Sequence, residues 1–485
     1  MYVWTSSVCR WVGAGGSFAI TVGGLAGEFL PAHVESWGVE VVPTASVVLM
    51  YVGLTLLVSA WWCYGRLLVG VKETAPREII GTLCAWGIPL VLAPPLYSAD
   101  VYSYIAQGAM TFEGHDVYEV GPSVLGVHDL GSAAAARVGS NWTDTPAPYG
   151  PVFLILASWV VQLTEAGTTP AVLGLRFVAL GALVLIVWAL RSLGGGGGAL
   201  WLAALNPLLL IHVIAGVHND GLMIGLMLSG VVLGKRGRWV LGSSLVGLAA
   251  MIKSPAVVAL LFLGVMVAQA ARGPVLLKIA KGLILPGLVA AAVASGTTVL
   301  AGTGFGWLDT QGVAGSIHTA LSLTSDVGLG VGLLAGNSDL VKEMVQKLGL
   351  AVALVLIVGL AWRSWKGRMD PVLGLGLSLL SLVALSPAVQ PWYLLWGTVA
   401  LAAAKTAWRS AAGQLLTVLS AALVYETHPS GGTPAYGFVL VGVVCALGLA
   451  WMWREPWREQ RHGWVCGPGS PGAAVRAKWK HRSRC

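Results

Sequence analysis

The stretch AVLGLRFVALGALVLIVWAL, residues 171–190, decides the fold class. It is apolar throughout except for Arg176, and it has the length of about 20 residues that an α-helix needs to cross a ~30 Å hydrocarbon core. Its Leu, Val, Ala and Gly do not alternate with polar residues, as a lipid-facing barrel strand requires. A helix satisfies its own backbone in lipid, so helices are the spanning elements. Runs of the same kind recur in both directions: near 12–30, 44–64, 78–97, 199–216, 220–234, 239–252, 255–271, 282–302, 347–362, 371–386, 391–404, 411–425 and 434–453. Hydrophobic residues make up 56% of the chain and charged residues only 10%, with a mean hydropathy of +0.78. A soluble domain carries about a quarter charged residues. The sequence therefore predicts an all-α integral membrane protein of about fourteen transmembrane helices. Residues 1–453 form the transmembrane domain, and 454–485 a basic cytoplasmic tail with little to bury, which reads as disordered.

The net charge of +8 would suggest nucleic acid in a soluble protein, but its distribution here excludes that reading. Basic residues gather between apolar runs and in the tail, as cytoplasmic loops require. The one ambiguous stretch is 152–163. If it spans, every later loop changes side, and Lys235–Arg238 and the tail fall outside. If it lies on the outer face as a juxtamembrane helix, outer Lys and Arg reduce to Arg137, Lys253, Lys342 and Lys347. The second arrangement obeys the positive-inside rule and puts both termini in the cytoplasm of a cell membrane. It also leaves two long outer segments, 98–170 and 303–346. The six cysteines have no metal-ligand spacing and none falls in an outer loop, so neither a disulfide framework nor a metal site is expected. The run Gly194–Gly198 lacks the Lys-Ser/Thr of a phosphate loop and reads as a turn.

Candidate chemistry collects on the outer face. Ser98-Ala99-Asp100 follows Pro94-Pro95, with Tyr102, Tyr104 and Gln107 behind it, then Glu113, Asp116 and Tyr118. A carboxylate at the outer end of a span, flanked by tyrosines, is placed to meet a lipid head group and a sugar together. Asn141 to Pro151 form a proline-rich turn that presents Trp142 and Tyr149. His218-Asn219-Asp220 fill a brief outer turn, where an imidazole, an amide and a carboxylate exceed what a turn needs. An ordinary helix cap at Asn219 or Asp220 is the plainer alternative. Lys253 is one of few outer cations and the natural partner of a lipid phosphate. Gln390, Trp392 and Tyr393 repeat the polar-plus-aromatic theme.

Together these residues resemble the polyprenol-phosphate-mannose-dependent α-1,6-mannosyltransferases of mycobacteria and corynebacteria, in the glycosyltransferase C superfamily. The likeness runs from about residue 10 to 450. SADVYSYIAQG (98–108), GHDVYEVGP (114–122), TPAPYGP (145–151), NPLLLIH (206–212), GVHND (216–220), KSPA (253–256) and QPWYLLW (390–396) carry it. The second long loop, with Ser316-Ile317-His318-Thr319, matches less closely. The resemblance implies a glycosyltransferase C-like bundle with juxtamembrane helices and a periplasm-facing site whose aspartate falls on Asp100. It also implies a polyprenol-phosphate-mannose donor, a phosphatidylinositol-mannoside or lipomannan acceptor, and a place in lipomannan and lipoarabinomannan core synthesis.

The expected chemistry is an inverting displacement, with Asp100 as the base and Lys253, assisted by His218, facing the phosphate. His128 and His318 are further candidates for that charge. A departing phosphate hardly needs protonation, so one base suffices, unlike glycoside hydrolysis. Asp116 and Asp220 are rival bases. A lipid-linked sugar transporter or flippase, and a non-catalytic envelope-assembly subunit, are the rival functions. No cofactor is required, although a divalent metal is compatible with the chemistry.

Overall fold

The computed structural model describes residues 4–27, 44–69, 76–313, 319–404, 407–429 and 431–454. The tail from 455 and His318 lie outside them. Helices are the only regular secondary structure among the described residues. The principal ones are α1 (Ser6–Ala26), α2 (Thr44–Val69), α3 (Pro76–Val91), α4 (Asp100–Glu113), α5 (Pro151–Leu163), α6 (Thr168–Ser192) and α7 (Gly197–Ala203). There follow α8 (Asp220–Lys235), α9 (Trp239–Ala250), α10 (Val258–Ala270), α11 (Val275–Ala301), α12 (Leu323–Ala335) and α13 (Ser338–Trp365). The last four are α14 (Pro371–Ala384), α15 (Leu394–Ala403), α16 (Ala411–Leu423) and α17 (Ala435–Arg454).

The expected apolar runs fall mainly on helices where they are described, but not all on long ones. Helices α2, α6, α11, α13 and α17 are each long and apolar enough to cross a membrane. The run expected at 199–216 is broken. Helix α7 ends at Ala203, and from Pro207 the chain resumes with a bend of 45°. Proline cannot donate to the preceding turn, and Asn206 caps the restart by accepting from Leu208 N at 3.0 Å. Its amide also donates to Ser420 Oγ at 2.9 Å, which ties the break to α16. The second outer segment, read as a loop, instead contains α12. Its apolar stretch is only 13 residues, too short to register as a span.

Close backbone approach organises three helix pairs. Gly16 faces Gly53 between α1 and α2, Gly230 faces Gly242 between α8 and α9, and Gly264 faces Gly282 between α10 and α11. A Cβ at Gly16 or Gly230 would stand 2.6 Å from the opposite glycine's carbonyl oxygen, so only hydrogen fits. Small residues let helices pack where lipid supplies no hydrophobic drive.

Arg176 is the other organiser. It is buried in α6 and donates to Val91 O (2.7 Å), Ile214 O (3.1 Å) and Ala215 O (3.0 Å). The end of α3 and the π-helical turn Leu210–Ala215 both leave carbonyls without intrahelical donors. One guanidinium therefore joins the two segments that lead into the candidate site, with its charge spread over backbone dipoles.

Candidate active site

Two sharp turns place the central residues. After Pro94-Pro95 the chain passes through Tyr97 at φ 65°, and its N–H donates to Pro429 O at 2.8 Å. Asp100 then opens α4, with its N–H held by Ser98 Oγ at 3.1 Å. The other turn passes through Val217 at φ 60°, a region that β-branched residues rarely enter. His218 N–H donates to His212 O at 3.0 Å, and α8 starts at Asp220. Such strain costs about 1–3 kcal/mol per residue and persists where the surroundings fix it.

These turns bring Asp100 and His218, far apart in sequence, into contact. His218 Nδ1 lies 3.3 Å from Asp100 Oδ2. The approach is too oblique to count as a hydrogen bond, and both His218 ring nitrogens lack a well-aligned partner. The imidazole stacks on Trp392 with ring centroids 3.7 Å apart, so its plane is fixed. Asp100 keeps 24% of its side chain exposed, whereas the His218 side chain is wholly buried. Burial pushes the Asp100 carboxyl up, but contact with His218, the charge of Lys253 and the Ser98 hydroxyl outweigh it. The group sits below the usual carboxylate range, ready to accept a proton at neutral pH.

Lys253 is paired. Its Nζ donates to both Asp220 oxygens, at 3.0 and 2.9 Å, and lies 4.7 Å from the centre of the Tyr393 ring. Asp220 also accepts Trp396 Nε1 at 2.6 Å and is completely buried. With its oxygens occupied and no access to solvent, Asp220 is unsuited to be the base. Lys253 retains one N–H beyond the two given to Asp220.

A cavity of about 430 Å³ opens onto this group. Asp100, Tyr149, Lys253, Gln390, Trp392 and Tyr393 line it, joined by Trp142 and Trp396. Asp100 is the single carboxylate in its wall among the described residues. Val257, Val258, Leu350 and Leu382 form an apolar flank, and Val257 and Leu350 are exposed at the protein surface. Gln311 and Gly312 bring the second outer segment to the rim.

The other expected residues stand behind or away from this wall. Tyr104 meets Tyr149 and Phe153 edge-on, at 5.3 and 4.8 Å. Tyr118 donates to Tyr149 O at 3.1 Å and supports it, while Asp116 caps its own turn by accepting Tyr118 N. Tyr102 lies under the Arg137 guanidinium at 5.9 Å. Asn219 and Gln107 are buried with amide atoms unpaired. His128 is exposed on the first outer segment. Three residues were missed by sequence reasoning. His212 packs 5.0 Å from Trp392, Trp396 holds Asp220, and Glu426 is buried between the hydroxyls of Thr427 and Thr433. Trp396 was legible only as the end of QPWYLLW.

One metal-compatible group occurs among the described residues. Donor atoms of Glu113, His115 and Asp129 lie within 4.8 Å of one another. Glu113 accepts Leu130 N at 2.8 Å and Asp129 accepts Gly126 N at 2.7 Å. None of the three lines the cavity.

An all-helical chain with apolar spans, and a cavity lined by a carboxylate, a paired lysine and aromatic rings, fits a membrane enzyme that acts on sugars. Comparison with known proteins makes the class definite. Residues 10–269 match the alpha-(1→6)-mannopyranosyltransferase N-terminal domain, and residues 318–454 match the MptB C-terminal domain. A probable alpha-(1→6)-mannopyranosyltransferase of Mycolicibacterium smegmatis is 34% identical, over 81% of this chain and 78% of its own. An alpha-(1→6)-mannopyranosyltransferase of Mycobacterium tuberculosis is 32% identical, over 86% and 81%. Alpha-(1→6)-mannopyranosyltransferase B of Corynebacterium glutamicum is 31% identical, over 81% and 72%. The chain belongs to the alpha-(1→6)-mannopyranosyltransferase family and is a membrane glycosyltransferase.

Proposed function

We propose that the chain transfers mannose from polyprenol-phosphate-mannose to a mannan acceptor in α-1,6 linkage, in lipomannan and lipoarabinomannan core synthesis. The acceptor is a phosphatidylinositol-mannoside or its lipomannan extension. The observation that carries the mechanism is that Asp100 is, among the described residues, the sole carboxylate in a cavity also lined by Lys253 and by an apolar flank. Asp100 takes the proton from the acceptor hydroxyl, whose oxygen forms the new bond to the anomeric carbon. The bond from that carbon to the phosphate oxygen breaks with inversion, and polyprenyl phosphate leaves as an anion. The remaining N–H of Lys253 meets the phosphate, and the Val257, Val258, Leu350 and Leu382 flank takes the first isoprene units. Tyr149, Trp392 and Tyr393 offer ring faces to the sugars. Tyr102, Tyr104, Gln107, Asp116, Tyr118, His218 and Asn219 act behind this wall as supports, and Asp220 as the partner of Lys253.

The reaction is placed on the outer face of the plasma membrane, with about fourteen spans and both termini cytoplasmic. Two features favour this sidedness. With 152–163 on the outer face, outer Lys and Arg reduce to Arg137, Lys253, Lys342 and Lys347, as the positive-inside rule requires. The first turn of α5 donates to Met251 O, two residues from Lys253, which keeps the helix beside the cavity. The Asp100→Asn variant tests the reading: it keeps size but removes basicity. Mannose transfer from the lipid-linked donor by purified protein is expected to fall by about two to four orders of magnitude, with donor binding retained. Near-normal transfer by a variant that elutes like the parent would exclude Asp100 as the base.

A further inference from the structure

A second cavity, about 220 Å³, lies at the opposite end of α10 from the candidate site. Its walls are Gly264 of α10, Gly282 and Leu283 of α11, and Val358 and Trp362 of α13, with their apolar neighbours. The close Gly264–Gly282 approach forms its floor, and Gln269 Nε2 donates to Ser364 O at 2.9 Å, which fixes α10 against α13. Leu283, Val358 and Trp362 are exposed at its mouth, so it opens sideways into the bilayer.

The chain around the mouth is basic, and the next acid along it, Asp370, is paired with Lys235 at 3.0 Å. Arg272, Lys278, Lys281, Arg363, Lys366 and Arg368 lie on or beside the lining segments, and neither 261–283 nor 358–368 contains an acid. None of the six pairs with a carboxylate among the described residues. Lys366 Nζ is held 4.6 Å above the centre of the Trp362 ring, at the edge of the crevice. An apolar slot with a cationic rim is complementary to one kind of molecule, an acyl chain carrying an anionic head group. Basic pockets between helices on the cytoplasmic side bind such lipids.

We infer that the crevice between α10, α11 and α13 is a binding site for an anionic phospholipid of the cytoplasmic leaflet. One acyl chain lies in the crevice, and Lys278, Lys281 and Lys366 face the phosphate. The leaflet rests on the sidedness proposed above, whereas the site itself does not depend on the catalytic reading. Positive charge at cytoplasmic helix ends also serves topology, but topology needs no slot beneath the charge.

The test is native mass spectrometry of the purified full chain in equimolar phosphatidylglycerol and phosphatidylcholine. The parent is expected to retain phosphatidylglycerol at least tenfold over phosphatidylcholine, a preference worth about 1.4 kcal/mol. The triple variant Lys278→Gln/Lys281→Gln/Lys366→Gln is expected to bring the ratio to parity. Leu283→Trp, which fills the mouth and keeps every charge, is expected to abolish retention; Val358→Trp replaces it if that protein aggregates. Parity in the parent overturns the proposal, as does a preference that survives either the charge or the filling variant. An Asp100→Asn chain is expected to keep the parental ratio whatever its turnover, so failure of the catalytic reading remains separable. Labelling of Arg368→Cys by an impermeant thiol reagent from outside would overturn the assignment to the cytoplasmic leaflet.

Discussion

Replacing Lys253 by Met probes the most heavily committed contact in the site. Asp220 has no exposed surface and loses both bonds to Nζ, keeping only Trp396 Nε1. Removing one partner of a buried ion pair costs about 3–5 kcal/mol. The surviving indole bond places the expected loss near the lower end, about 3 kcal/mol. In the double variant Lys253→Met/Asp220→Asn no charge is stranded and the Asn carbonyl can still accept from Trp396. Stability is expected to recover by about 1 kcal/mol, because the Asn amide N–H group that replaces the second oxygen is left without an acceptor, which costs less than a stranded charge. Unfolding in detergent measures both values. Donor saturation separates structure from catalysis, because truncating a buried cation–phosphate contact costs about 2–5 kcal/mol. At the lower bound, the KM for the lipid donor rises about thirtyfold in the double variant although no charge is stranded there. A Lys253→Met protein as stable as the parent would refute the buried-pair argument. A stable double variant with parental donor saturation would refute the role of Lys253 at the phosphate.

Three further outcomes are expected. Because the Asp100 carboxyl is depressed, the parent should show no acid limb from this group above about pH 4. Any stability that the depression supplies is present above that value and is lost as pH falls through the lower folded one. His218→Ala removes the contact that lowers it and leaves burial in place, so an acid limb in kcat/KM should move to higher pH. An unmoved limb would uncouple the two residues. Arg176→Met should lower stability by about 3 kcal/mol or more, since three buried carbonyls lose a donor. Arg176→Lys should recover only part, because an ammonium cannot reproduce the planar fork; equal thermal midpoints for parent and Met variant would contradict this. For sidedness, single cysteines at 165–169 should react with an impermeant reagent from outside, and cysteines at Gly194–Gly198 should not. The reverse pattern would make α5 a span.

The sequence was most readable where one residue type has one physical use. Apolar runs marked the helices, and Asp100, Lys253, Tyr149, Gln390, Trp392 and Tyr393, each read from a polar-plus-aromatic pattern, all line one cavity. It was least readable where meaning depends on a partner. Asp220 and Lys253 each looked available to substrate, but they are 33 residues apart and nothing local indicates that they bond to each other. Asp116 and Tyr118 looked like site residues because they share a motif with a glycine-bounded turn, and their roles are to build that turn and brace Tyr149. Helix α12 escaped notice because 13 apolar residues fall below the length that signals a span. Arg176 was visible as an oddity within an apolar run, but its three carbonyl acceptors belong to α3 and to the broken segment before His218. Only tertiary structure reveals that use.

The apolar flank of the first cavity has a kinetic consequence. Val257 and Leu350 line the cavity and are exposed, so the lipid-carried donor proposed above would arrive through the plane of the bilayer rather than from water. The quantity that governs its encounter is then its mole fraction among the surrounding lipids. Adding inert detergent or phospholipid at constant bulk donor concentration thins the donor within that plane. Turnover falls accordingly, although nothing has been diluted in the tube.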